Sequence, residues 1–204
     1  AIALVALASL VLGMGLPVTA AYIVLATLSA PALAAMIGDA HVTEMLIAGT
    51  LPVEAGAILL LGAPEAAAAI GGPMSPEAAE ALMRGLPKEI TALLRGQVLS
   101  RELVTAALLS AHMIVFWLSQ DSNVTPPVCL AAFTAAAIAK APPMATGLTS
   151  WTLAKGLYIV PLLFAYTPLL SGDPLAALTI FTFALIGLYA LAAALQGWME
   201  RKLN

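Results

Sequence analysis

The sequence predicts an all-α polytopic membrane protein: a re-entrant helical hairpin, a discontinuous transmembrane helix and two further transmembrane helices, with a helical extramembrane insert. Three observations predict it. The 204 residues are 62% hydrophobic and 9% charged with a mean hydropathy of +1.01, whereas soluble domains hold about 45–50% apolar and about 25% charged residues. The charges are concentrated: residues 35–102 carry eight acids and four bases, and the rest of the chain carries three acids and four bases. Apolar blocks near 1–34, 103–139, 151–170 and 175–198 reach the length of about 20 residues that a helix needs to cross hydrocarbon. Aperiodic glycine and a single cysteine, Cys129, exclude collagen and disulfide scaffolds. A net charge of −3 gives no footing for a phosphate backbone, so no nucleic-acid partner is expected. The chain opens on Ala1 and shows no charged n-region, so the expectation is a piece of a larger polypeptide.

Block 1–34 contains no charge and is interrupted by Gly13-Met14-Gly15-Leu16-Pro17. Glycine and proline together free backbone groups from the helical ladder. Lipid cannot satisfy those groups, so the break belongs against protein or a watery cavity. A kinked span and a re-entrant hairpin of two half-helices both fit. Thirty-four helical residues would reach about 51 Å, well past a core of about 30 Å, which favours the hairpin.

The stretch 35–102 is expected to be helical and modular. Pro52-Val53-Glu54-Ala55, Pro64-Glu65-Ala66-Ala67, Pro76-Glu77-Ala78-Ala79 and Pro87-Lys88-Glu89-Ile90 recur every 11–12 residues, and Gly62, Gly71-Gly72, Gly85 and Gly96 close the units. Early proline, first-turn acid and terminal glycine are the start and stop signals of short helices. Ser75 is placed as an N-cap. Helices of about ten residues need a surface to pack on.

Block 103–139 has Asp121 as its one formal charge and is interrupted by Ser119-Gln120-Asp121-Ser122-Asn123-Val124-Thr125-Pro126-Pro127. An ordinary loop between two short spans is the plain reading. Against it, each flank is too short to cross alone once Ser100–Glu102 starts the helix, and together they form one span with an unwound polar centre. An acid inside the bilayer is functional by default. Unwound carbonyls with Ser, Thr, Asn and Asp oxygens suit a hard, weakly held cation such as Na⁺.

Residues 140–204 provide two C-terminal transmembrane helices. Lys140 follows the second block, Arg201 and Lys202 follow the last, and Ser171-Gly172-Asp173-Pro174 holds no base. Positive charge marks the cytoplasmic side, so 140–150 and 199–204 lie inside and 171–174 outside. The broken helix 103–139 then starts outside, which places the 35–102 insert in the periplasm. Lys155 is expected at the inner end of its helix, with Trp151 and Trp198 at the inner interface.

The paired breaks carry a family resemblance. Gly13-Met14-Gly15-Leu16-Pro17-Val18-Thr19-Ala20-Ala21-Tyr22, followed by Ala30-Pro31-Ala32-Leu33, resembles the second re-entrant hairpin of the large membrane (permease) subunit of TRAP transporters, in the fused branch that works with TAXI receptors. Ala111-His112-Met113, then Thr125-Pro126-Pro127-Val128 with Ala131-Ala132, resembles the broken helix after that hairpin. The resemblance covers about 1–34 and 103–170. It implies a secondary transporter of the bacterial inner membrane that imports organic acids. Such a transporter takes its solute from a periplasmic solute receptor, uses Na⁺ as coupling ion with H⁺ as the other candidate, and moves by an elevator-like step. It also implies a small membrane subunit or its fused equivalent, and an N-terminal half of the permease that this chain lacks. On that reading Gly13, Gly15, Thr19, Ser122, Asn123 and Thr125 bind the ion, while Pro17, Tyr22, Asp121 and Pro126 border the substrate. There are departures. The residue two before Thr-Pro-Pro, commonly aspartate in relatives, is Asn123, with Asp121 two positions earlier, and the 35–102 insert replaces a usually short connection.

Other residues have plainer readings. His112 is expected as a core or interface histidine rather than a proton relay, Cys129 as a packed helix residue, and Pro161 and Pro168 as packing kinks. GxSxG, HExxH, P-loop and dinucleotide motifs are missing, and His41 and His112 make no metal site. The expectation is therefore not an enzyme. The alternatives are a membrane-embedded enzyme using His112 and Asp121 as acid and base, or an inert anchor, which would leave both polar breaks unexplained.

Overall fold

The computed structural model describes residues 2–69, 71–199 and 201–202. Its helices are α1 (Ile2–Gly13), α2 (Val18–Leu28), α3 (Ala30–Ala48), α4 (Val53–Gly62), α5 (Pro76–Gly85) and α6 (Lys88–Val98). They continue as α7 (Arg101–Ser119), α8 (Leu130–Ala139), α9 (Pro143–Leu153), α10 (Val160–Tyr166) and α11 (Pro174–Gln196). Tighter 3₁₀ turns occupy Pro64–Ala69, Gln120–Asn123, Ala154–Tyr158 and Pro168–Leu170. The described strands are a two-residue antiparallel ladder, Trp198–Met199 against Arg201–Lys202. The chain divides into two compact units, Ala1–Pro31 with Leu109–Asn204, and Ala32–Leu108.

Three helical runs are long and apolar enough to cross a membrane: Arg101–Asn123, Pro143–Tyr166 and Pro174–Gln196. The bent pair Val18–Leu28 and Ala30–Ala48 would add a fourth if it forms one span. The fold is an all-α polytopic membrane fold. α11 is apolar all round and none of its most apolar window is buried, the pattern of a helix whose solvent is lipid. Asp173 caps its start by accepting from the Leu175 amide at 2.9 Å, and Gly197 ends it at φ +65°.

Three expectations are corrected here. The first flank of the 103–139 break is not too short to cross. α7 begins at Arg101, and the 3₁₀ turn prolongs it to Asn123, so the interruption follows a full-length run. The third apolar run begins at Pro143 rather than near 151, because Lys140 takes a left-handed cap conformation (φ 52°) and Pro142 and Pro143 open α9 at once. Lys155 therefore sits mid-run, with its Nζ 4.6 Å from the Trp151 ring centroid. The apolar block 1–34 also does not stop at 34. Pro31 lies in the first turn of α3, where a missing N–H costs nothing, and the helix runs on to Ala48. Of the C-terminal expectations, the side chains of Trp198, Arg201 and Lys202, and residues Glu200, Leu203 and Asn204, lie outside the described residues.

In the unit 32–108 four of the five prolines open a helix, Pro73 being the exception. Pro52 and Pro87 cap α4 and α6, Pro64 starts the 3₁₀ turn, and Pro76 starts α5, whose Ala78 amide donates to Ser75 Oγ at 3.3 Å. Gly62 and Gly85 end their helices, but α6 passes Gly96 and stops at Val98. Val42, Leu46, Leu59, Met83, Leu86 and Leu94 form the core, each such side chain contributing about 1.5–3 kcal/mol when fully buried. Arg95 pairs with Asp39 at the partly exposed edge of this unit, its stem lying over Gly38.

Candidate ion and solute site

The two sequence breaks meet in space. Ser9 Oγ donates to the Leu118 carbonyl at 2.8 Å, and a Cβ on Gly13 would lie 3.3 Å from the Ser122 backbone. α1 thus runs alongside the end of α7, in the same direction. The chain then turns tightly, with Gly15 and Leu16 amides both donating to the Leu12 carbonyl at 3.0 and 2.8 Å, and Pro17 in extended conformation opens α2. Four residues into the turn's exit, the Tyr22 hydroxyl is hydrogen-bonded to His112 Nδ1 at 3.1 Å, and its ring meets Phe116 edge-on at 5.9 Å. Tyr22 touches α7 behind the points that Ser9 and Gly13 touch, so α2 runs back antiparallel to α1. The result is a helical hairpin with its tip at the break.

At the break, side chains first replace the missing ladder. Ser119 Oγ donates to the Phe116 carbonyl at 2.6 Å, Ser122 Oγ to the Ser119 carbonyl at 3.1 Å, and Asn123 Nδ2 to Gln120 Oε1 at 3.3 Å. The Val124 and Thr125 amides both donate to the Asp121 carbonyl, and the Pro126–Pro127 bond is cis. α9 closes on the far side. A Cβ on Gly147 would fall 2.7 Å from Cys129 Sγ and 3.3 Å from Pro126, so only glycine lets this helix approach.

Asp121 is the centre of the arrangement. Its side chain is 2% exposed, and no Lys, Arg or His among the described residues lies within ion-pair distance of it. Tyr158 donates to its Oδ1 at 2.7 Å. Its Oδ2 is buried with no partner, as are Thr125 Oγ1 and Trp151 Nε1; these last two flank the Tyr158 hydroxyl. Burying a carboxylate oxygen without a partner costs several kcal/mol at the order of magnitude. A buried acid oxygen and a buried hydroxyl left unpaired within one turn, where the Thr125 amide donates to the Asp121 carbonyl, can take a small cation without a cluster of His, Cys, Asp and Glu. Among the described residues there is no group of three such side chains.

Of the residues expected to bind the ion, Gly13 and Ser122 are in contact and Thr125 is buried beside Asp121, while Gly15 and Thr19 are exposed at the hairpin turn. Asn123 is half-buried, with its amide turned to Gln120. Of those expected to border the substrate, Pro17 is exposed at the tip and Pro126 half-buried at the break. Tyr22 and Asp121 already have partners in His112 and Tyr158. Sequence reasoning missed Tyr158, Trp151, Ser9 and Gly147. A lone tyrosine in an apolar run is not distinguishable from packing until the fold brings an acid to it.

Residues 1–170 match the family model described as "Tripartite ATP-independent periplasmic transporter, DctM component". No curated protein and no solved structure matches the chain. With that match running over most of its length, and with the hairpin and the interrupted helix both inside it, the chain belongs to the DctM family, the large membrane component of TRAP transporters.

Proposed function

We propose that this chain forms the ion-coupled, solute-closing part of a receptor-dependent permease that imports carboxylates across the bacterial inner membrane, of the fused type that works with TAXI receptors. The family makes it a component of a TRAP-type secondary transporter, a multi-pass membrane protein with a small membrane subunit and a periplasmic receptor as general partners. The observation that carries the reading is the buried, unpaired Asp121 Oδ2, in the same turn as the unpaired Thr125 Oγ1 and next to the Ser122 backbone that the hairpin tip meets at Gly13.

A buried carboxylate without a fixed counter-charge favours a mobile one. Na⁺, as co-transported ion, would take Asp121 Oδ2, Thr125 Oγ1 and unwound carbonyls near Ser122 and Asn123, ligands suited to a hard cation. Because Gly13 touches Ser122, filling this site stabilises the seating of the hairpin tip. α2 and α8 both begin at the tip and the break, and their positive ends favour a carboxylate nearby. Ion and solute would then close the hairpin together, and an elevator-like movement carries both.

The acid–base enzyme reading loses its main support, because His112 and Asp121 are engaged by different partners, Tyr22 and Tyr158. DctM is a family of transporter components. The transport reading is tested in proteoliposomes holding the full permease, its small subunit and its receptor. Thr125→Ala should raise the Na⁺ concentration for half-maximal uptake by about tenfold, the effect of losing one contact to a charge, and Asn123→Ala, which frees Gln120 and loosens the turn whose carbonyls face the ion, should raise it by less. Equal Na⁺ dependence in variants and parent would remove both residues from the site.

A further inference from the structure

We propose that Tyr158 is a positioning residue of this site: its hydroxyl fixes the Asp121 carboxylate so that a single oxygen faces the ion, and so links the third apolar run to ion occupancy. The inference rests on the ion-coupled reading above. It starts from the 2.7 Å bond between Tyr158 Oη and Asp121 Oδ1. A free carboxylate turns about its last bond and offers either oxygen, or both. With Oδ1 held, Oδ2 alone remains buried and unpaired. A ligand held in its binding geometry beforehand loses less freedom when the ion arrives.

Where Tyr158 stands gives the contact a second consequence. It ends the 3₁₀ turn Ala154–Tyr158, which interrupts the Pro143–Tyr166 run between α9 and α10. The same run approaches the break through Gly147, whose Cβ position is 3.3 Å from Pro126. The nearby basic side chain, Lys155, is turned over the Trp151 ring rather than onto Asp121. Tyr158 is therefore the hydrogen-bonded link between this run and the acid. Linkage requires that whatever holds the carboxylate alters ion affinity, and that the ion alters the hold.

The experiment uses the full permease with its partner subunits in proteoliposomes. Na⁺ is titrated against two readouts, receptor-dependent uptake and tryptophan fluorescence, the second taken as the part of the signal lost in Trp151→Phe and needing no turnover. Tyr158→Phe keeps the ring and removes the hydroxyl. It should raise half-saturating Na⁺ about tenfold in both readouts, after rates are normalised to each variant's own maximum, with receptor affinity unchanged. Asp121→Asn should raise half-saturating Na⁺ further than Tyr158→Phe does while keeping it measurable at high Na⁺, and Asp121→Asn with Tyr158→Phe should be no worse than Asp121→Asn alone, because the hydroxyl acts through that carboxylate. A Tyr158→Phe protein with the parent's half-saturation, or a double variant whose losses add, overturns the assignment while leaving the ion site standing. A parent without any Na⁺ response overturns the ion-coupled reading and this assignment with it.

Discussion

At the scale of single residues, the absence of a side chain matters as much as its presence. Gly13 lets the hairpin tip touch the Ser122 backbone, since even a methyl would sit 3.3 Å from it. Valine there would overpack the contact by about 1–3 kcal/mol. Gly13→Val should therefore cut receptor-dependent uptake about tenfold or more, with protein level unchanged. Gly187→Ala on α11, where a Cβ meets nothing within 4 Å, is the matched control. Parental uptake by Gly13→Val would show that tip and break do not need to touch. Gly13 was legible in the sequence because glycine before Gly15 and Pro17 in an uncharged run has few other uses. Tyr158 was not, because its role depends on Asp121, 37 positions away.

At the scale of elements, the insert shows how far local chemistry reaches. Proline starts with first-turn acids located α4, the Pro64–Ala69 turn, α5 and α6, because those features act within one helical turn. Gly49, which no start–stop pattern singled out, ends α3 at φ +67°, and a Cβ on it would lie 2.7 Å from Pro73 N. The Thr50 amide closes the end by donating to the Met45 carbonyl at 2.9 Å. Gly49→Ala meets both a disfavoured backbone conformation and a backbone clash, so it should destabilise the unit by more than the about 1 kcal/mol of a positive-φ penalty alone. Hydrogen exchange across α3 and α4 in the full protein reads this directly, and unchanged protection would refute it. The span boundaries were less legible. Hydropathy averages over about 19 residues, whereas the ends of the Arg101–Asn123 and Pro143–Tyr166 runs are set by a 3₁₀ extension and a left-handed cap.

At the scale of the whole molecule, the acidic stretch 35–102 carries eight of the chain's eleven acids and lies within the 1–170 family match. On the topology that we propose from the loop charges it faces the periplasm, where it either contributes a receptor-docking surface or braces the neighbouring protein; a passive spacer is the plain alternative. Replacing 40–98 with a short Gly/Ser linker, in protein that still inserts, should weaken receptor binding and flatten its salt dependence, since surface charge acts through screened attraction. Unchanged affinity and salt response would leave the spacer. Labelling of Glu80→Cys from the cytoplasmic side alone would reverse the topology.

The sequence by itself determined the membrane class, the two broken elements and the helical grammar of the insert. Hydropathy, proline, glycine and charge act over one turn or one span, and neither needs a partner to be read. Tertiary structure decided what the breaks are for: it set Gly13 against Ser122, turned Tyr22 to His112, and brought Tyr158 to Asp121. Those pairings lie about 40 to more than 100 positions apart along the chain, and a polar side chain in an apolar run acquires its chemistry only from the group that packing delivers to it.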